Sequence, residues 1–140
     1  CAMMDLDWNR LYRTEHGDSP REEQTRLDER HAMSKSFAFY QQLGLLGLLL
    51  RAEGRVIAFT MGSLINPQTV DVHFEKAYSE IQGAYPLINR EFARWIRNIR
   101  PSVQWFNRED DMGLEPLRRS KLSYKPEFMV RKYTARWIYG

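Results

Sequence analysis

The strongest hydrophobic period in the chain runs through residues 80–99. Ile81, Tyr85, Ile88, Phe92, Trp95, Ile96 and Ile99 recur at spacings of three and four. That spacing predicts an amphipathic helix from about Glu80 to Ile99, closed by Pro101. A second helix is expected nearer the start. Ser19 followed by Pro20, with Glu22 and Glu23 in the next turn, reads as a cap, a first helical residue and a favourably charged N-terminus. It should run to about Gln42 and stop at Gly44, with Leu27, Met33, Phe37 and Tyr40 as its apolar stripe. Leu45–Arg51 is a continuous apolar run, expected to be a strand buried on both faces. Glu53-Gly54 is a two-residue turn signal, so Val56–Leu64 should return as its hairpin partner. Asn66-Pro67 breaks that strand. Thr69–Lys76 then alternates cleanly, with Val70, Val72 and Phe74 on one side and Asp71, His73 and Glu75 on the other. Val103–Phe106 is expected as a short strand, residues 107–113 as a polar loop, Gly113–Lys121 as a short helix and Phe128–Trp137 as a final strand. Trp95, Trp105 and Trp137 sit on apolar stripes and are expected in the core. The order is α+β with one mixed, mostly antiparallel sheet flanked by helices, and its crossover should be right-handed.

Composition narrows the class without naming a function. The 140 residues fit one domain, and 13% aromatic content excludes disorder by composition. One cysteine, Cys1, excludes a disulfide framework and a zinc site of several thiolates. No apolar run approaches the ~18 residues of a spanning helix, and no signal peptide is visible, so a cytoplasmic location is expected. The net charge of +3 is too weak for a DNA-binding module. The charge is uneven, however. Residues 1–50 carry six basic and eight acidic residues, and residues 100–140 carry nine and five. The basic C-terminal part is either a solvated face or an attraction for a polyanion.

Four segments carry candidate chemistry. His73 and Glu75 stand two apart on a strand, so both should project from one face, where a carboxylate beside an imidazole makes a general base. Gln82-Gly83-Ala84 opens a helix directly after a strand, a natural anion site, with Tyr85 beside it. Asn107-Arg108-Glu109-Asp110-Asp111-Met112-Gly113 follows a strand. Its carboxylates would hold an ammonium group or a metal, or cap the next helix; the metal is the weakest option, because no histidine is near in sequence. Lys121-Leu122-Ser123-Tyr124-Lys125-Pro126 offers a phenol as proton donor and two lysines as phosphate contacts. Each segment has a structural alternative: a polar strand face, a plain helix entry, helix caps, or a paired core tyrosine with solvated lysines.

Three stretches together carry a resemblance: FEKAYSEIQGAYPLIN, FNREDDMG and LRRSKLSYKPEFMVRKY. The chain resembles the phosphatidylglycerol lysyltransferase C-terminal-like family over about residues 22–135. That family is largely one of uncharacterised bacterial proteins and belongs to the GNAT-fold acyltransferase superfamily. The resemblance implies a GNAT-like domain over residues 21–140, behind a polar segment 1–20, forming the C-terminal half of a longer tandem protein. It implies acyl or aminoacyl transfer to an amine or hydroxyl, with no permanent cofactor. Acyl-CoA or aminoacyl-tRNA would be the donor, and an N-terminal GNAT half the partner. Glu75, aided by His73, would be the base, and Tyr124 the acid. Asn107, Arg108, Glu109, Asp111, Lys121 and Tyr85 would hold substrates. Gln82, Gly83 and Ala84 match the family's pyrophosphate loop loosely. The alternative is a non-catalytic GNAT-like scaffold or binding half.

Overall fold

In the computed structural model the described residues are 1, 4–5, 7–8, 10–11 and 20–138. They form two compact units, Cys1–Glu109 and Asp110–Gly140. The expected Ser19 cap lies outside the described residues.

The first unit contains α1 (Pro20–Ala38), β1 (Leu46–Ala52), β2 (Arg55–Asn66), β3 (Thr69–Ala77), α2 (Ala84–Ile99) and β4 (Trp105–Asn107). The four strands form one sheet in the order β1-β2-β3-β4. The first two pairings are antiparallel and the third, across α2, is parallel. The Glu53-Gly54 hairpin forms as expected. Both residues take left-handed backbone angles, φ 50° and 77°, the pair that matches the twist of the flanking strands.

Side-chain alternation sends two sets of apolar groups to opposite faces of the sheet. Ala84, Ile88, Phe92 and Ile96 of α2 are buried against Ala58, Ala77, Val70 and Val72. Each of the larger ones contributes ~1.5–3 kcal/mol. On the other face Met33 of α1 packs on Phe59, Met61 and Tyr78, and Met4 completes that cluster.

Several expectations change. α1 ends at Ala38 rather than Gln42, and the chain then turns to Gly44, which has φ 59°. Leu27 is exposed instead of joining the stripe. β1 is an edge strand, not a strand buried on both sides: Leu46, Leu48 and Leu50 pack toward α2, while Leu49 is exposed. α2 starts at Ala84, not Glu80, because Gly83 adopts φ 82° and the residues before it form turns. Trp95 packs against the α2-side core, but Trp105 and Trp137 are exposed.

The second unit holds one helix, α3 (Glu115–Ser123). The expected strand at Phe128–Trp137 has no regular secondary structure. A strand needs a neighbour for its N–H and C=O groups, and no strand is described in this unit.

Among the described residues, no helix is long and apolar enough to cross a membrane.

Candidate active site at a bulge in the third strand

The site is built by an irregularity in β3. Met61 of β2 pairs with Phe74, but the next residue, Gly62, pairs with Val72. His73 is therefore the extra residue of a β-bulge, which resets the alternation. Val70 and Val72 face α2 before it. After it Phe74 faces α1, and Glu75 and Ala77 face α2. Gly62 is required here, because a Cβ at this position would collide with the carbonyl of Asp71.

The bulge separates two residues expected to share a face. Glu75 turns toward α2. Its Oε1 accepts from the Arg108 guanidinium at 2.9 Å and its Oε2 from the Asn89 amide at 3.3 Å. Its side chain is 6% exposed. His73 turns the other way. Its Nε2 lies 2.8 Å from Ser63 Oγ and its Nδ1 lies 3.0 Å from Glu109 Oε1. Asp71 Oδ2 stands 3.7 Å from the same Nδ1. A carboxylate can only accept, so Nδ1 is the donor in the neutral ring and Nε2 is left to accept from the serine hydroxyl.

Residues 107–109 deliver these partners. The β3–β4 ladder ends at Asp71 and Asn107, whereas β3 continues to Ala77. Beyond that point the side chains of Arg108 and Glu109 reach β3 in place of a strand. Asn107 Oδ1 accepts the Glu109 N–H at 3.2 Å. Glu109 takes φ 53°, a left-handed conformation that costs a non-glycine residue roughly 1–2 kcal/mol.

His73, Ser63, Glu109 and Phe74 line a cleft of about 380 Å³ together with Ser36, Leu43 and Leu45. That volume lies in the range of small-ligand sites. Burial, reinforced by the Glu109 carboxylate, holds the Asp71 carboxyl above its ordinary range, while His73 opposes the shift. Asp71, His73 and Glu109 each offer one atom within 4.8 Å of the others, a spacing that also suits a divalent cation. The distance in sequence between His73 and Glu109, 36 residues, had hidden this grouping.

The other expected residues, and Lys76, which was not one of them, are placed elsewhere. Lys76, next to Glu75, is buried on the α1 side with Asp5 at 3.3 Å, Glu29 at 2.8 Å and the Trp8 ring at 4.0 Å. Tyr85 packs beside Ala84 and Ile88, and burial pushes its hydroxyl up. At the α2 N-terminus Gln82 and Gly83 are exposed, and an added Cβ at Gly83 would meet open space. The Ala84 N–H is bonded to the Ile81 carbonyl and Pro86 has none.

In the second unit the acidic pair is used internally. Asp110 accepts the Met112 N–H and pairs with Lys132 at 3.0 Å, which holds its carboxyl low. Asp111 accepts the Gly113 N–H and pairs with Arg118 at 2.6 Å, with the same effect. Neither side chain caps α3, whose N-cap is Leu114 without a side-chain bond. Lys121 Nζ donates to the Asp110 carbonyl at 2.6 Å, and Tyr124 is the C-cap residue of α3. Ser63 and Asp71 were not among the expected site residues. The signal available was Asp71 on the same polar side as His73; Ser63 carried none, because its cross-strand pairing with Asp71 depends on register.

A conserved protein of unknown function from Bacteroides thetaiotaomicron VPI-5482 superposes with a TM-score of 0.77 and 36% identity over 92% of this chain. The chain spans 40% of that protein's length. An aminoglycoside N-acetyltransferase in complex with CoA superposes with a TM-score of 0.57 at 14% identity, covering 82% of this chain and 95% of the other. A ribosomal-protein-alanine N-acetyltransferase from Brucella melitensis biovar Abortus 2308 gives 0.55 at 16% identity, covering 79% and 92%. These two likenesses establish the GNAT acetyltransferase fold. No curated protein sequence matches the chain. The family described as phosphatidylglycerol lysyltransferase, C-terminal, matches residues 11–136. With nearly its whole length matched and the acetyltransferase fold beneath it, the chain belongs to the phosphatidylglycerol lysyltransferase C-terminal family.

Proposed function

We propose that this chain is an acyl- or aminoacyl-transfer domain in which His73, oriented by Glu109, handles the proton of the attacking group. The observation that carries the reading is the cleft beside His73, where β3 runs on past the end of its ladder with β4. An amine or hydroxyl that attacks a carbonyl must lose a proton, and a neutral imidazole with its Nε2 lone pair turned toward the cleft wall can take it. Leu43, Leu45 and Phe74 give the substrate an apolar wall, while Asp71 and Glu109 favour an ammonium group. Glu75, with both oxygens engaged, acts in this account as a positioning residue that fixes Arg108 and so the chain leading to Glu109.

An aminoacyl ester is the preferred donor. Gln82-Gly83-Ala84 fits a pyrophosphate loop only loosely, which argues against tight binding of a CoA pyrophosphate. The basic excess of residues 100–140, nine against five acidic, suits a polyanionic donor such as a tRNA, with Arg108, Arg118, Arg119 and Lys132 already engaged by carboxylates. We further propose that the chain is the C-terminal part of a tandem protein whose N-terminal half completes the acceptor site, in line with the 40% coverage of the Bacteroides protein. A non-catalytic binding half is the rival reading.

Thermal shift against acetyl-CoA and an aminoacyl-tRNA mimic, in parallel, tests the proposal. A donor at 100 times its Kd stabilises the fold by ~2.7 kcal/mol. A shift with the tRNA mimic, followed by transfer that His73→Ala lowers by about 100-fold or more, supports it. No shift with either donor favours the binding half.

A further inference from the structure

We infer that Ser63, His73 and Glu109 form a nucleophile, base and carboxylate relay, in which Ser63 accepts the acyl group as an acyl-serine before it is passed on. The inference rests on the transfer reading above for its donor, an activated ester or thioester, but its chemistry is that of the three side chains. Of the charged clusters in the first unit, the one around Lys76 is sealed, with that side chain 3% exposed. The one around His73 opens on the cleft.

Three observations converge. The hydrogen bonds run in one sense: Ser63 Oγ to Nε2 at 2.8 Å, then Nδ1 to Glu109 at 3.0 Å. This is the polarity that removes a hydroxyl proton and stabilises the resulting imidazolium. The carboxylate is aimed by a costly backbone: Glu109 sits at φ 53°, with its N–H held by Asn107 Oδ1. And the bulge puts the unpaired His73 next to Ser63, whose register partner is Asp71. Asp71 Oδ2, at 3.7 Å, is a second carboxyl oxygen near the ring.

The reaction balances without a further reagent. Ser63 Oγ forms a bond to the acyl carbon as its proton passes to Nε2. The bond from that carbon to the leaving oxygen or sulfur then breaks, and the leaving group takes the proton from Nε2. An acceptor amine next attacks the acyl-serine and gives a proton to Nε2, and Ser63 Oγ departs with it. With water as acceptor the same cycle is hydrolysis.

The test is labelling of the full chain with biotinylated fluorophosphonate, which loses fluoride to an activated serine. The modified peptide is identified by mass spectrometry. The expected result is an adduct on Ser63, forming at least about 100-fold more slowly in His73→Ala and more slowly in Glu109→Gln. Ser36 is an internal control, since it lines the same cleft and its hydroxyl donates to the Ala32 carbonyl. Labelling of Ser63 no faster than of Ser36 in the folded wild-type chain overturns the relay, and needs no variant to fold. Labelling that survives His73→Ala in a folded protein also overturns it. Ser63 labelling without transfer from any donor keeps the relay and removes the transferase reading. Transfer undiminished in Ser63→Ala removes the relay and keeps that reading.

Discussion

One charged cluster sits at the bulge in β3 and another just beyond it, and they are built to opposite ends. Glu75 and Lys76 are 6% and 3% exposed, and each is held by partners on a different face of the sheet. His73 is 30% exposed and opens on a cleft, with both ring nitrogens in hydrogen-bond contact. Buried ion pairs hold a fold in one arrangement, but their protons and lone pairs are out of reach of a substrate. A half-open imidazole with one nitrogen oriented by a carboxylate can still exchange a proton. Chemical type alone does not distinguish a strut from a working group in this strand; the bulge does.

The comparison can be broken most severely at Lys76. Lys76→Met takes from Asp5 and Glu29 the cation they share, leaving Asp5 with Arg30 at 3.6 Å, and should cost up to ~3–5 kcal/mol in urea unfolding. Ser63 labelling should persist at temperatures where the variant is folded. Next, Glu75→Gln replaces the ion pair with Arg108 by a bond from the guanidinium to a neutral amide, for an expected loss of ~1.5–3 kcal/mol. Any fall in transfer should be smaller than in His73→Ala. A larger fall would return the base to Glu75. Gly62→Ala forces the Asp71 carbonyl to move, with an expected cost of ~1–3 kcal/mol. Because the shift falls on the strand pair that carries Ser63 and His73, Ser63 labelling should slow along with the loss of stability.

The smallest effect is one of pH. The Asp71 carboxyl is raised in the folded state, chiefly by burial and then by Glu109. A raised acid contributes stability below its unfolded value, about 3.9, and that contribution is lost as pH rises through the folded value. Asp71→Asn should therefore gain stability relative to the wild type as pH increases through that window, and the difference should shrink toward acid. Urea midpoints across the window check the sign. An opposite slope would mean that His73 outweighs burial at this site.

Much of the scaffold was legible in the chain because its signals are local. The Glu53-Gly54 turn demands two left-handed residues, and of the expected stripe Ile88, Phe92 and Ile96 form the buried face of α2, while Ile99 is exposed. The site was less legible. His73 and Glu75 look paired to any rule of alternation, and a single extra residue sends them apart. Glu109 was visible as a candidate, but its partner 36 residues away was not. Asp110 and Asp111, adjacent and similar, are turned to loop amides and to Lys132 and Arg118. Phe128–Trp137 has strand-like composition, but pairing is a property of two segments, and composition reports on one.

The central claim is that His73 presents a lone pair, not a proton, to Ser63. Nitrogen-15 NMR of the histidine rings at about pH 8.5, above the ordinary imidazole range, reads this directly. The account predicts that His73 carries its proton on Nδ1, with Nε2 unprotonated, and that Glu109→Gln weakens that preference. A neutral ring protonated on Nε2 would point its proton at Ser63, and would contradict both the base assignment and the relay built on it.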